Sequence, residues 1–347
     1  MTPIAHARFQ AAVADRYVID DVLGSGSAGT VYLARDVKHG RQVAIKVLQP
    51  SALQPSAVQD SGPNGFLREI RLTARLQHPH ILPLLDSGEA GGCAYYVMPF
   101  VKGGSLRELL TRRMRLSAAE ALDVVRDLAG ALDYAHENRV IHCDVKPENV
   151  LLSGGHAIIA DFGVSRALHG DRNAWRAALD TSVGTPDYVS PEQASGEPHL
   201  GAETDLYSLA CMVYEMLAGV APFAGASDMA VVASRFTRPA PDIRTVARHV
   251  PNRVAGVLRR AMALEPGRRY RSVAAFLRAF ERAVETRKGW VREAIGLGTT
   301  RMFSRLRRTT RLSLREPRAA RRLIERSRES LETIRLSNPE NRMSDVV

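Results

Sequence analysis

The sequence predicts an α+β fold in two lobes with an appendage: a small antiparallel β-sheet lobe carrying one helix, a larger mainly helical lobe, and a basic C-terminal tail. Three observations carry the prediction. Strand-like runs rich in β-branched and aromatic residues fall before residue 100, whereas helical periodicity governs most of the chain beyond it, the segregation typical of α+β chains. The 347 residues match roughly two domains, or one two-lobed domain plus an appendage. The net charge of +11 is uneven: residues 288–347 hold 15 Lys and Arg against 7 Asp and Glu, a surplus of +8 that leaves +3 for the rest.

Composition excludes several classes. With 45% hydrophobic residues the chain buries a full core and is not broadly disordered. Cys93, Cys143 and Cys211 stand too far apart for a metal cluster or a disulfide framework, and suit a reducing cytosol. Residues 1–14 lack the apolar core of a signal peptide, and no apolar run approaches the roughly 18 residues that span a bilayer. The expected location is therefore cytoplasmic, without a transmembrane segment. Because the basic surplus belongs to the tail, specific nucleic-acid binding is not expected from the charge.

Residues 1–15 read as a short N-terminal extension with helical character. Strand patterning starts at Arg16-Tyr17-Val18-Ile19 and runs into Leu23-Gly24-Ser25-Gly26-Ser27-Ala28-Gly29-Thr30-Val31. Glycines at 24, 26 and 29 let backbone amides approach a phosphate without side chains in the way. A dinucleotide-binding turn would run from strand to helix; here the glycines lead into a second β-branched run, which favours a flap over a triphosphate. The third strand, Gln42-Val43-Ala44-Ile45-Lys46-Val47-Leu48, holds a lysine inside an apolar run, where it needs an anionic partner. Nucleotide phosphates and Glu69, on a helix over residues 66–76, are the two candidates, against the bland alternative of a snorkelling edge-strand lysine. Residues 50–64 form a surface loop. The apolar runs Ile81–Leu85 and Ala94–Met98 are expected to complete the small sheet.

Beyond residue 100 the pattern changes. Gly103-Gly104-Ser105-Leu106 opens a short helix, and Ser117-Ala118-Ala119-Glu120 is a capping box that starts a long one. That helix leads to His142-Cys143-Asp144-Val145-Lys146-Pro147-Glu148-Asn149, in which an acid, a cation and an amide stand at offsets of two and five from Asp144. Such a set suits phosphoryl transfer: an acid to accept a hydroxyl proton, a cation for the phosphoryl charge, and an amide oxygen for a divalent metal. A polar surface loop is the bland reading. A hairpin over residues 150–160 then presents Asp161-Phe162-Gly163. Further helices are expected at Glu203–Gly219, Ser227–Arg235, Val250–Ala263 and Ser272–Val284.

Taken together, the glycine loop, "VAIK", the helix glutamate, "HCDVKPEN", "DFG" and "SPE" resemble, in order and spacing, the eukaryotic-type (Hanks-type) protein kinases of the bacterial Ser/Thr class. The resemblance covers residues 16–285, divided into a small lobe (16–98) and a large lobe (102–285), with 286–347 as the tail. It implies a protein-kinase-like fold and transfer of the γ-phosphoryl group of ATP to protein Ser and Thr hydroxyls, with Mg²⁺ (or Mn²⁺) as cofactor. Asp144 would act as base, Lys146 would stabilise the moving phosphoryl group, and Lys46 with Glu69 would complete the catalytic set. Asn149 and Asp161 would hold metal. The nucleotide would be bound by Leu23, Gly24, Ser25, Gly26, Gly29 and Val31 of the flap, by Ala44 and Lys46, and by Met98, Pro99 and Val101 at the connector. "DVKPEN" and Gly184-Thr185 favour Ser/Thr over Tyr. A scaffold or pseudokinase is the alternative; a small-molecule phosphotransferase would not be expected to carry "GTPDYVSPE".

Departures from the family pattern are few. Cys143 replaces the usual arginine that pairs with an activation-segment phosphate, so activity should not depend on phosphorylation at Thr181 or Ser182. Ser190 stands where alanine is usual, a minor change. Glu192 is expected to pair with Arg269, and Asp205 to bond the catalytic-loop backbone from below, both as structure. The arginine-dense stretch 301–322 has three readings, in order: a solvated tail, a segment that contacts an acidic surface or anionic membrane, and a self-regulatory tail.

Overall fold

The computed structural model describes residues 3–26, 29–48, 70, 73–162, 186–223 and 239–285. The predicted helix at Ser227–Arg235 and the whole tail, with the 301–322 segment, lie outside these residues.

Five strands form the small antiparallel sheet: β1 (Tyr17–Gly26), β2 (Gly29–Asp36), β3 (Arg41–Leu48), β4 (Asp86–Ala90) and β5 (Cys93–Pro99), in the spatial order β1-β2-β3-β5-β4. Period-two alternation divides β3 and β5 between two apolar clusters. Val43, Ile45, Val47, Cys93, Tyr95 and Val97 face one way, where helix α1 (Pro3–Val13) brings Phe9 and Val13 into the same cluster. Ala44, Leu48, Ala94, Tyr96 and Met98 face the other. The N-terminal segment is thus part of the small lobe's core: Phe9 is fully buried and lies edge-on to Tyr95.

One strand lies elsewhere than expected. Residues 82–85 are not strand, and the edge strand is the polar Asp86–Ala90. Ile81 makes a single parallel bridge to Ile159, while Leu82, Leu84 and Leu85 supply side chains to the two clusters, and the Leu85 amide donates to the Val97 carbonyl at 2.8 Å just before the edge strand begins. Hydrophobicity there marks burial under the sheet, whereas an edge strand has one partner and tolerates polar residues.

The large lobe is built on α2 (Leu106–Arg113), α3 (Ala118–Glu137), the hairpin β6 (Val150–Ser153) and β7 (His156–Ile159), and helices α4 (Pro191–Ala194), α5 (Ala202–Ala218), α6 (Asn252–Ala261) and α7 (Val273–Glu285). The capping box at Ser117 and Glu120 forms, and a second one caps α2 at Ser105 and Glu108. Helix α5 is mostly apolar and covered on every side because it is the lobe's centre: Asp205 to Leu217 are all buried. It stops at Gly219, whose φ of 83° suits the left-handed turn that ends the helix. Both carboxylate oxygens of Asp133 on α3 accept amides at the start of α7, from Val273 at 3.0 Å and Ala274 at 2.7 Å, joining the two helices where α7 has orphan donors.

Candidate active site

Antiparallel pairing puts Lys46 opposite Tyr96 and Ala44 opposite Met98, with Val31 on the other side of Lys46. Lys46 therefore shares a sheet face with Met98 and points away from the α1 cluster. Its Nζ lies 2.6 Å from Asp161 Oδ2, and the other oxygen of that carboxylate accepts a hydrogen bond from the Tyr96 hydroxyl at 2.6 Å. Glu69, one of the two partners expected from the sequence, lies outside the described residues, as does Gly163. Burial pushes the Asp161 carboxyl up, but the Lys46 charge and the two donated hydrogen bonds outweigh it and hold it below the usual carboxylate range. The same environment, burial first and the neighbouring carboxylate second, pushes the Tyr96 hydroxyl well above its ordinary value, so it stays a donor.

The loop before β6 supplies the second group. Lys146 Nζ sits 2.7 Å from Asp144 Oδ2. Asn149 Nδ2 donates to the Asp144 carbonyl at 2.8 Å and to Asp144 Oδ2 at 2.9 Å, so its amide offers the remaining oxygen to a cation. Burial alone would lower the Lys146 ammonium; Asp144, and more weakly Glu148 and Asp161, reverse that and raise it. Ala160 N donates to the Asn149 carbonyl at 2.8 Å, which ties this loop to the residue before Asp161.

A buried frame fixes the loop. His142 is fully buried; its Nε2 donates to the Ala160 carbonyl at 2.9 Å and its Nδ1 accepts the Asp144 amide at 3.2 Å. Asp205, also fully buried, accepts the amides of His142 and Cys143, each at 2.8 Å, and is 2.7 Å from His136 Nε2. Cys143 takes φ of 62° and Asp161 φ of 65°, a left-handed conformation that costs a non-glycine residue about 1–3 kcal/mol and persists only when neighbours over-determine it. Both backbone groups of Cys143 are in fact held: the amide by Asp205 and the carbonyl by Gln193 Nε2 at 2.7 Å.

The flap shows two kinds of glycine. A Cβ on Gly29 would meet the Val47 carbonyl oxygen at 2.2 Å, so that glycine serves the sheet itself. At Gly24 and Gly26 an added Cβ would meet nothing within 4 Å, so their bareness leaves room for a ligand instead. Leu23 sits at an irregularity in the β1–β2 register and remains 44% exposed, an apolar side chain that the protein itself does not cover. Pro99 ends β5 opposite Val43, and Val101 follows it half-buried.

Three contributors carried no signal of their own in the sequence. Tyr96 looked like one more aromatic of a buried strand; only its alternation with Met98 marked its face. Arg107 on α2 bonds Glu148 at 2.7 Å and Glu215 at 2.6 Å and reaches the Tyr188 hydroxyl, tying the catalytic loop, the segment before α4 and α5 together. Gln193 is positioned by Ser190, whose side chain caps α4 by accepting the Gln193 amide while the Gln193 carboxamide accepts the Ser190 backbone. Ser190, expected to be a minor change, therefore orders the residue that holds Cys143. The two expected structural bonds form: Arg269 meets Glu192 at 2.6 and 2.8 Å, and Asp205 underlies the loop. Thr181, Ser182, Gly184 and Thr185 lie outside the described residues.

A small sheet over a helical lobe, with a lysine on β3 meeting an acid that follows β7 beside an Asp-Lys-Asn loop, defines the class: a two-lobed protein of the protein kinase fold. Residues 17–277 match the family model for the protein kinase domain, and the chain belongs to that family. It is 38% identical over 268 residues to the serine/threonine-protein kinase PknB of Mycolicibacterium smegmatis, covering 76% of this chain and 42% of that protein. It is 37% identical over 269 residues to PknB of Mycobacterium leprae, with the same coverage of both, and 38% identical over 300 residues to PknJ of Mycobacterium bovis, covering 83% of this chain and 49% of PknJ. The chain thus spans less than half the length of these relatives. Among the described residues no helix is long and apolar enough to cross a membrane.

Proposed function

We propose that this chain is a serine/threonine protein kinase, moving the γ-phosphoryl group of ATP to protein hydroxyls and to its own. The observation that carries the reading is the joining of the Lys46–Asp161 pair to the Asp144–Lys146–Asn149 loop through the Ala160 backbone, so that five groups separated by up to 115 positions are linked in one bonded cluster. The names of the related kinases support the same reaction and the same class of acceptor.

The donor set fits a hard divalent cation: the carboxylate of Asp161 and the amide oxygen of Asn149 are the oxygen ligands that Mg²⁺ prefers, with Mn²⁺ the alternative. Bound there, the ion neutralises phosphate charge. The protein's own part is positional. Leu23, Val31, Ala44 and Met98 offer apolar walls for the base, the Pro99 carbonyl and the Val101 backbone meet its edge, and the amides around Gly24, Ser25 and Gly26, with Gly29 behind them, face the phosphates. Lys46 exchanges its contact with Asp161 for phosphate oxygens, supported by Glu69. Asp144 orients the acceptor hydroxyl and takes its proton, while Lys146, already against that carboxylate, balances charge on the phosphoryl group in transit.

Two finer readings complete the proposal. Because Cys143 offers no cation, activity is independent of an activation-segment phosphate, and phosphatase treatment should leave the rate unchanged. The basic segment 301–322 contacts an acidic surface or an anionic membrane peripherally, which sedimentation with anionic vesicles checks. The reaction itself is tested with labelled ATP, Mg²⁺ and a generic basic protein, with mass spectrometric identification of the modified residues. Incorporation on Ser and Thr, lost in Asp144→Asn, is expected; no incorporation, or equal incorporation by that variant, would overturn the reading.

A further inference from the structure

A second group of ligand-bearing side chains lies behind the catalytic loop. His80, in the segment entering the Ile81 bridge, Asp127 in the middle of α3, and His156, the first residue of β7, bring one nitrogen or oxygen each to within 4.8 Å of one another. His80 Nε2 is 3.5 Å from Asp127 Oδ1, and His156 Nδ1 is 3.4 Å from that same oxygen and 3.3 Å from Oδ2. Those separations are long for charge-assisted hydrogen bonds, which run about 2.7–2.9 Å. They match the edge of a metal-centred tetrahedron: with metal–ligand distances of about 2.0–2.2 Å, neighbouring ligands sit about 3.3–3.6 Å apart.

The surroundings orient the donors. His80 Nδ1 donates to the Ala157 carbonyl at 2.9 Å, which in the neutral ring turns the Nε2 lone pair toward the Asp127 carboxylate. In that tautomer a lone pair faces a carboxylate oxygen, an arrangement relieved by a metal cation between them or by a second proton on the ring. Asp127 Oδ2 in turn accepts the Ala157 amide at 2.8 Å, so one backbone residue fixes two of the three donors, the outer-shell arrangement that metal-binding histidines use. His80 and Asp127 are mostly covered, at 21% and 16% side-chain exposure, while His156 at 66% leaves an entry from solvent.

We propose that His80, Asp127 and His156 form a site for a divalent transition metal, with Zn²⁺ the best match to two imidazoles and one carboxylate, leaving one tetrahedral position for water. The ion clamps the 80–82 segment and α3 to the start of β7, the strand that ends two residues before Asp161. It is separate from the Asp161–Asn149 pair, whose all-oxygen donors suit a harder ion.

The test uses the full chain free of any purification tag, in excess Mg²⁺ so that the oxygen-donor site is not the one titrated. Calorimetry with Zn²⁺ should give one equivalent of tight binding, and Co²⁺ in its place should give the visible absorption of a four-coordinate site with nitrogen and oxygen ligands. His156→Ala, exposed and able to fold, should weaken Zn²⁺ by at least the roughly 10–100-fold that even loss of an outer-shell partner produces, while His39→Ala, beside Asp36, should not. Thermal unfolding in the absence of metal confirms that both variants are folded. Absence of a one-to-one isotherm, six-coordinate cobalt spectra, or equal binding by His156→Ala would each overturn the site, leaving a protonated histidine as the cation between the carboxylate and its neighbours.

Discussion

In the cleft, Lys46 meets Asp161 and Lys146 meets Asp144 through single ammonium–oxygen contacts of 2.6 and 2.7 Å, with all four side chains between 13% and 33% exposed. Under the large lobe, Arg269 grips both oxygens of Glu192 and adds the carbonyls of Ala263, Glu203 and Leu264, with its side chain wholly buried. The charges are the same and the construction differs. A lysine is a rotatable point charge that changes partner at little geometric cost, whereas a planar guanidinium with five fixed donors holds one arrangement. The groups to which the proposed reaction assigns the release of an acid are built from lysine; the groups that hold the frame are built from arginine or, at Asp205, from backbone amides.

The largest effect that would test this division is catalytic. Asp144→Asn keeps shape and keeps an acceptor for Asn149 but removes the proton acceptor. Phosphoryl transfer to a peptide should fall about 10²–10⁴-fold, with the denaturation midpoint close to that of the parent. A large loss of stability instead would place Asp144 among the frame residues.

Arg269→Met should do the reverse. Glu192 would keep its burial and lose its cation, a change that costs about 3–5 kcal/mol in buried pairs, read by urea unfolding, while folded protein retains most of its rate. A second replacement at Glu192 should recover only part of that loss, because the carbonyls now bound to Arg269 would remain unpaired. The pH dependence sharpens the point. Burial pushes the Glu192 carboxyl up, but Arg269 overrides it and holds it below the usual range. A depressed native value contributes stability that is complete above the ordinary glutamate value, about 4.3, and is lost as pH falls through the native one. In Arg269→Met the Thr204 hydroxyl and a backbone hydrogen bond still oppose burial, but the strongest lowering influence is gone, so the native value rises and the stability lost on acidification shrinks. Unfolding curves followed from neutral pH to well below the ordinary glutamate value distinguish the two slopes.

How much of this was legible in the sequence divides along the same line. Lys46 stood out because a cation inside an apolar strand has no comfortable place, and Asp144, Lys146 and Asn149 because three unlike polar groups in a short loop imply a shared point in space. The frame was half visible: Glu192, Arg269 and Asp205 came from the family resemblance, while Arg107 and Gln193 read as ordinary helix residues, since a bond across 108 positions leaves no local pattern. The edge strand was misplaced for a physical reason: Ile81 is buried and Leu82, Leu84 and Leu85 are half-buried against the two clusters, and the ladder is formed next door by polar residues. Phe9 was missed because a single aromatic in a short segment gives no helical periodicity to follow, although it is a fully buried part of the small lobe's core.

Tyr96 lies on the boundary between the two kinds of construction. It is buried like the frame yet donates to Asp161, the acid that the proposed reaction gives to a metal. Tyr96→Phe removes one hydrogen bond to a charged group, worth about 1.5–3 kcal/mol, and should lower thermal stability accordingly. The freed carboxylate oxygen should also tighten Mg²⁺ binding, measured by competition with Mn²⁺ followed by electron paramagnetic resonance. Unchanged metal affinity would make Tyr96 part of the frame alone.

Ser190→Ala carries the smallest expected effect and tests how far the frame extends. The substitution installs the residue usual in the kinase pattern, so the catalytic fold tolerates it. What it removes here is a helix cap, worth about 0.5–2 kcal/mol, on a four-residue helix whose other capping partner, Gln193, supports the Cys143 carbonyl. If Ser190 acts only as a cap, stability falls by about 1 kcal/mol and the rate is unaffected. If the reciprocal bonds between Ser190 and Gln193 are what keep the carboxamide under Cys143, the strained left-handed turn before Asp144 loosens as well, and the rate falls beyond what the lost stability explains. Gln193→Leu should then reproduce the rate loss with the Ser190 cap intact, because the carbonyl loses its donor while the serine hydroxyl still accepts the backbone amide of residue 193.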